Sequence, residues 1–292
     1  MSWIRLAAWS FPFFAIFIIV PTAAVRAQTA DIIVLNRQSL KLHKQGKDKE
    51  ATAVAEEAVG LAERAFGPGH PETLKSLYNL ASLYEAQGLY GKAEPLLKRA
   101  LAGFERTFGD EAPSTLSAVS NLASLYEKQG LYAEAEALFK RALDGLDRTR
   151  GPDDRQTLIS VDNLGSLYRV QGRYAEAEPL YRRALAGIEQ ILGPEHPDTL
   201  TSLSNLAELS AAQGRYGEAE LLYKRVLEGR ERVLGPDHPR TLRSVANLAS
   251  VHFNLEHWAS AVELWRRSTA AIAGRTLRGA QDTGQAPADK PG

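Results

Sequence analysis

The feature that most constrains this chain is an internal repeat with a period of 42 residues. The phrase Asn-Leu-Ala, in one repeat Asn-Leu-Gly, recurs at that step without an insertion, beginning at Asn79, Asn121, Asn163, Asn205 and Asn247. Gly and Thr-Leu recur in the same register. Self-similarity at a fixed step of this size is typical of solenoid proteins, in which each unit packs on its neighbours. The repeat therefore predicts an array of stacked units that share a continuous core.

Each unit reads as two helices. From Pro197 to Ser210, apolar and small residues recur at steps of three and four, which predicts one helix. Gly214 then supplies a stop signal, because glycine readily adopts the left-handed conformation that ends a helix. A second stripe begins at Tyr216 and predicts a second helix that runs back along the first. The expected fold class is all-α, an α-solenoid of stacked antiparallel helix hairpins.

The expected organisation has four parts. Residues 1–27 form a signal peptide, 28–66 a degenerate N-terminal capping hairpin, 67–273 five repeats, and 274–292 a tail. The tail is predicted to be disordered because it is rich in Gly, Pro, Ala and Gln and lacks a periodic stripe. Six hairpins result, and the outer two are atypical, as capping repeats are. In the last one, His252 replaces the tyrosine of most other repeats.

The N-terminus predicts export. A single positive charge at Arg5 precedes an apolar stretch from Leu6 to Val20, and a small-x-Ala pattern ends at Ala27. This order is typical of a cleaved signal peptide. The alternative is an uncleaved anchor facing the periplasm, which needs about 20 apolar residues. The run here is shorter and contains proline, so the preferred location is secreted or periplasmic.

Composition and motifs argue against several functions. Lys+Arg and Asp+Glu both number 35, so there is no positive excess to attract nucleic acid, and cysteine is absent. Nucleophile-elbow, zinc-protease and phosphate-loop motifs are missing. Four carboxylates recur at one position of the repeat, near the start of the second helix, where the helix dipole favours a negative charge: Glu94, Glu136, Glu178 and Glu220. This placement explains them without a role in acid catalysis. The chain is predicted to be non-enzymatic, with no catalytic residue, cofactor or small-molecule substrate.

Three histidines share one loop position before a proline: His70, His196 and His238. Their spacing by multiples of the repeat places them on different hairpins, unlike the close spacing of a zinc motif. We expect them to cap helices or order loops, and no metal site is predicted.

The signature Asn-Leu-Ala-x-x-Tyr-x-x-x-Gly-x-Tyr-x-x-Ala, at Asn79–Ala93 and again at Asn121–Ala135, resembles a tetratricopeptide repeat. The 42-residue period, with Leu-Gly-Pro-Glu-His-Pro at Leu192–Pro197, resembles the kinesin light chain subclass over about residues 67–272. The resemblance implies a right-handed superhelix whose first helices line a concave groove for peptides. It also implies that five asparagines bond to the peptide backbone: Asn79, Asn121, Asn163, Asn205 and Asn247. A motor-cargo role does not fit an exported chain.

The same asparagines could instead bond to the neighbouring repeat and fix stacking, and the sequence leaves both interpretations open. Positions that vary between repeats on the same helical face are the candidates for specificity. They include Lys75, Glu85, Glu127, Arg169 and Arg243. A clamp specific for a C-terminal carboxylate is not expected, because its residues do not recur cleanly.

The predicted function is a protein–protein interaction scaffold that binds a peptide or helix of a partner in its groove. No membrane contact beyond an N-terminal anchor is expected. One alternative is a structural envelope protein that self-assembles by stacking its degenerate ends. Another is a subunit of an enzyme complex whose active site lies on the partner.

Overall fold

The computed structural model describes residues 22–282. Twelve α-helices and no strand occur in this part of the chain. They are α1 (Thr22–Lys44), α2 (Asp48–Phe66), α3 (Pro71–Ala86), α4 (Tyr90–Phe108), α5 (Pro113–Gln129), α6 (Tyr132–Arg150), α7 (Arg155–Val170), α8 (Tyr174–Leu192), α9 (Pro197–Ala212), α10 (Tyr216–Leu234), α11 (Pro239–Asn254) and α12 (Trp258–Asp282).

The chain divides into two compact units, of which unit 1 ends at Leu89 and unit 2 begins at Tyr90. In unit 1, α2 packs against both α1 and α3. Its contact face is lined by small side chains that are fully buried, including Ala51, Ala55 and Ala58. Small residues permit this close approach because little side-chain volume separates the backbones.

In unit 2, each helix from α4 onward packs against the next, and the pairs α5/α6, α7/α8, α9/α10 and α11/α12 are the most extensive. The predicted all-α fold of stacked antiparallel helix pairs is confirmed. The repeat-register alanines predicted to lie between helices are buried, among them Ala135, Ala177 and Ala219. The aromatic rings of Phe139 and Tyr181 fill the space beside them, with 1% and 0% exposure.

The loop before each first helix explains two recurring motifs. The ring nitrogen Nδ1 of His70, His196 and His238 accepts a hydrogen bond from the backbone N–H two residues later, at 3.1–3.2 Å. The helix-capping role predicted for these histidines is thus confirmed. The Thr-Leu motif has a related purpose: the Thr115 hydroxyl donates to the Gly109 carbonyl at 2.8 Å. Both bonds satisfy polar groups where a chain enters a helix.

The turns between paired helices use glycine at a left-handed position, as Gly130 does at φ 78°. The last turn differs, because Glu256 occupies that conformation with φ 61°. A side chain with a Cβ is disfavoured there, so this turn carries local strain.

The two ends depart from the sequence-based boundaries. Residues 1–21, most of the predicted signal peptide, lie outside the described part, and the predicted cleavage site after Ala27 falls inside α1. At the other end α12 continues to Asp282, so residues 274–282 are helical rather than disordered. Residues 274–282 contain no proline to interrupt the helix. Residues 283–292 lie outside the described part. Between residues 22 and 282, no helix combines the length and apolar character needed to cross a membrane.

Candidate binding face

In unit 2, the predicted residues lie on the first helices of successive repeats, with the asparagines at equivalent positions. We call this surface the first-helix face and define it by eight residues on α5, α7, α9 and α11: Asn121, Glu127, Asn163, Arg169, Asn205, Glu208, Arg243 and Asn247. The period of 42 residues places one asparagine at the same turn of each helix. Every one of these asparagines is half-buried, which leaves part of each amide open to solvent.

The four asparagines have different partners, so they are not equivalent. The Asn121 amide donates to the Ser117 carbonyl of its own helix at 2.9 Å. The Asn205 amide instead reaches the preceding repeat and donates to Asp162 Oδ2 at 2.5 Å. The Asn247 side chain acts on Tyr223, where it opposes the rise that burial causes in the pKa of that hydroxyl. Within residues 22–282, Asn163 has no side-chain hydrogen bond. Asn205 thus bonds to the preceding repeat, whereas the half-buried Asn163 side chain makes no such bond within the described residues.

Asp162 is a buried carboxylate behind the face, 7% exposed, and sequence reasoning missed it. Burial raises its pKa to about 6, although hydrogen bonds from Asn205 and Ser202 oppose the change. Its Oδ1 atom is buried without a hydrogen-bond partner in the described part. The sequence did contain a signal for this residue, because the equivalent positions in the adjacent repeats are both serine, Ser120 and Ser204.

Charged side chains of alternating sign cross three consecutive first helices. Arg169 Nη2 on α7 lies 3.5 Å from Glu208 Oε2 on α9, and Glu127 on α5 acts on the same guanidinium electrostatically. Burial raises the pKa of Glu127, while Arg169 and Lys128 oppose that change. Burial lowers the pKa of Arg169, but Tyr181 and the two carboxylates outweigh it and the net direction is upward. On this part of the face Arg169 therefore has a carboxylate-bearing side chain on each neighbouring first helix.

The α11 end of the face is more positive. Arg243 is exposed, and no carboxylate lies within salt-bridge distance of it in the part of unit 2 that the structure describes. Behind it, Arg230 is only 2% exposed, and burial together with Arg243 and Arg240 lowers its pKa to about 10. These arginines give the end of the face a positive potential that the central row lacks.

In unit 1, two of the predicted residues line a small groove between α1 and α3. Lys75 and Asn79 face Ile33, Asn36 and Arg37 across a cavity of about 280 Å³. Lys75 Nζ also forms an ion pair with Glu72 Oε1 at 2.8 Å. The α1 residues were missed because the degenerate first repeat lacks the Asn-Leu-Ala motif that marks the register elsewhere.

The remaining predicted residue, Glu85, is half-buried near the end of α3 and is not part of that groove lining. The structure therefore brings together Lys75 and Asn79 in unit 1, and separately Glu127 and Arg169 in unit 2. Whether any of these residues binds a peptide stays a prediction.

A comparison of the sequence with protein-family profiles identifies the type of repeat. The tetratricopeptide repeat profile matches residues 33–106, 76–148, 114–186, 157–232 and 211–272, which together span most of the chain. The chain belongs to the tetratricopeptide repeat family. Proteins built from this repeat are usually non-catalytic scaffolds for other proteins, and no catalytic family is indicated.

Solved structures agree with this assignment. One is a Podosopora anserina protein described as a kinesin light chain with nearly identical tetratricopeptide-like repeats. It shares 30% identity with this chain at a TM-score of 0.59, and the match covers 72% of this chain and 98% of that one. BtubC (BKLC) from P. vanneervenii shares 18% identity and a TM-score of 0.61, covering 92% and 96%. PilW, a type IV pilus biogenesis factor, shares 20% identity and a TM-score of 0.57, covering 83% and 94%. The last two show likeness of fold alone. No curated protein matches the chain.

Proposed function

We propose that this tetratricopeptide repeat protein is a non-enzymatic scaffold that binds a peptide or helix of a partner protein on its first-helix face. The observation that carries the proposal is the half-exposed amide of Asn163, which has no side-chain hydrogen bond within residues 22–282. It lies one repeat away from the bonded Asn205 and on the same helix as Arg169. An amide offers both a donor and an acceptor, which suits the backbone of a bound segment.

The charged groups around that amide support a polar ligand rather than an apolar one. Arg169 and Glu208 are held by mutual contact, so their geometry is set before binding. Arg243 supplies an exposed charge toward the α11 end. A bound segment would therefore gain orientation from the charges and affinity from the amides.

Site-specific photo-crosslinking in the native host tests this proposal. A photoreactive residue at Ser117 or Ser250, both exposed on first helices, should capture the same partner. A probe at Leu221, which is 71% exposed on α10, is the matched control and should capture none. Asn163→Ala should abolish capture while helical circular dichroism and melting stay unchanged. Capture from Leu221 alone, or full capture by the Asn163 variant, would contradict binding on this face.

We also propose that the chain is exported. The support is the sequence of residues 1–27, with its apolar run and its small-x-Ala pattern ending at Ala27. Cleavage would leave Gln28 as the new N-terminus, inside α1. Intact-mass measurement of the protein from the envelope fraction decides the matter, since a mass that includes residues 1–27 excludes cleavage. Extraction by alkaline carbonate then distinguishes a released protein from an anchored one.

Self-association is a second candidate, favoured by an exposed aromatic cluster in the last repeat. Phe253, Trp258 and Trp265 are 48%, 52% and 37% exposed. The Phe253 ring lies 5.0 Å from Trp258 and 5.7 Å from Trp265. In a longer array, a further repeat would cover such residues. Light scattering across a hundredfold concentration range should show dimers that Trp258→Glu removes, and a constant monomer mass would exclude this candidate.

A further inference from the structure

A recurring glutamate near the start of the second helix is bound by residues of the next repeat. Glu136 accepts hydrogen bonds from the Tyr168 hydroxyl at 3.1 Å and from Arg173 Nη1 at 2.7 Å. Glu178 accepts from Arg215 Nη2 at 3.0 Å. Each junction between these repeats is thus closed by a carboxylate and a cation that keeps its charge at all physiological pH values.

The last junction keeps the glutamate and replaces both partners with histidine. His252 occupies the position of Tyr168, and His257 occupies the position of Arg173, both two repeats later. His252 Nε2 lies 3.6 Å from Glu220 Oε1, and the two imidazole rings are 5.5 Å apart. One potential ligand atom from each residue lies within 4.8 Å of the others.

The burial of His252 distinguishes this group from a chance surface cluster. The residue is only 9% exposed, and its Nδ1 atom is buried without a hydrogen-bond partner in the described part of the chain. A buried imidazole nitrogen without a partner is unfavourable and calls for an explanation. The other ring nitrogen, Nε2, is the one that lies near Glu220. His257, by contrast, is exposed and opens the group to solvent.

We propose that Glu220, His252 and His257 bind a divalent transition-metal ion of the zinc type. Two imidazoles and one carboxylate form a donor set that zinc accepts, with the fourth position left to water. Coordination would tie α10 to the start of α12 through His257 and to α11 through His252. Lys224, whose Nζ lies 2.6 Å from Glu220 Oε1, would have to release that oxygen. Its side chain is about half-exposed and is free to swing into water.

Isothermal titration of the metal-free full chain with zinc chloride tests the site. We expect one equivalent to bind with an affinity that falls as pH decreases from 7.5 to 5.5, because protons compete for the imidazoles. Cobalt(II) should give visible absorption bands of a low-coordinate site. The double variant His252→Tyr/His257→Arg restores the residues found at the Glu136 junction, so it should fold and should bind zinc at least tenfold more weakly.

The matched control is His238→Asn, which removes a histidine from the same repeat and keeps a residue that caps helices well. It should bind zinc as the wild type does. Absence of zinc binding by the wild type would overturn the proposal, and so would undiminished binding by a folded double variant. Equal losses in the control and the double variant would also overturn it, because they would indicate scattered surface binding.

Discussion

The junction around Glu136 and the junction around Glu220 occupy the same positions of different repeats but differ in chemistry. The first uses Tyr168 and Arg173, and the guanidinium lies 4.0 Å from the tyrosine ring. The second uses His252 and His257, whose imidazole nitrogens are common metal ligands. The repeat therefore fixes which positions are in contact, while the residue at each position decides whether the contact can respond to pH or bind a metal ion.

The same contrast extends to the core. Arg230 occupies the position held by Leu146 and Ile188 in the two preceding repeats, and all three are buried. Its guanidinium donates to Ser244 Oγ at 2.7 Å and lies within 3.4 Å of the Leu200 carbonyl. No carboxylate forms an ion pair with Arg230 within the part of unit 2 that the structure describes. At this position the later repeat thus holds a buried guanidinium where the two preceding repeats hold hydrocarbon.

The largest expected effect follows from removing that arginine. Arg230→Ala should lower the free energy of unfolding by about 3 kcal/mol, because it leaves a cavity and removes the donor to Ser244 and Leu200. Arg230→Leu, which copies Leu146, should stay within about 1 kcal/mol of the wild type, since it also removes a buried charge. Urea unfolding measures both. Equal losses in the two variants would show that the last repeats depend on the arginine itself.

The next effect concerns Asp162 in the middle repeats. Its folded pKa is about 6 against an ordinary 3.8, so the unfolded chain releases the proton more readily and stability falls as pH rises between those values. At pH 7 the burial cost is roughly 3 kcal/mol. Asp162→Ser, which copies Ser120 and Ser204, loses a hydrogen bond worth about 1 kcal/mol and should gain about 2 kcal/mol net. Urea unfolding should show this gain disappearing by pH 4, and a gain independent of pH would exclude the buried charge as its cause.

His252 should give a pH response of the opposite sign. Burial lowers its pKa below the ordinary 6.5, Lys224 and His257 act in the same direction, and Glu220 opposes them. As pH falls through 6.5, the unfolded chain therefore takes up the proton first, and stability decreases toward acid. His252→Tyr should match the wild type at pH 7.5 and exceed it at pH 5.5. Hydrogen exchange of the backbone amides in α10–α12 measures this locally, and parallel curves for the two proteins would contradict it.

The smallest effect on stability is expected when the two histidines of the Glu220 junction are introduced at the Glu136 junction. This change should nevertheless have a clear effect on metal binding. Tyr168→His/Arg173→His would place two imidazoles beside Glu136, where Lys140 sits as Lys224 does beside Glu220, at 2.7 Å and 2.6 Å. In the background of the His252→Tyr/His257→Arg variant, this change should restore cobalt absorption. Arg173→His alone should not. Failure of the transplant in a folded protein would show that the metal site needs more than the three side chains.

The sequence was sufficient to predict the helices, the buried alanines and the capping histidines, because each depends on residues close by in the chain. It could not predict the role of Asn205, which depends on an aspartate one repeat earlier. For the same reason Glu220 was interpreted only through the dipole of its own helix, although His252 belongs to the next helix. Helix α12 extends beyond its predicted end, through a segment that lacks an apolar stripe but also lacks a proline to interrupt the helix.

The polar contacts between repeats also bear on how the chain folds. They link residues about one repeat apart, for example 32 positions for Tyr168 and Glu136, 37 for Arg173 and Glu136, and 43 for Asn205 and Asp162. Forming such a contact requires the closure of only a short loop, so the entropic barrier does not grow with the number of repeats. Folding can begin in any repeat and spread to its neighbours, and this topology favours rapid folding. Unfolding would proceed inward from an end, so the last repeat, with its strained turn at Glu256, is the natural place for it to start.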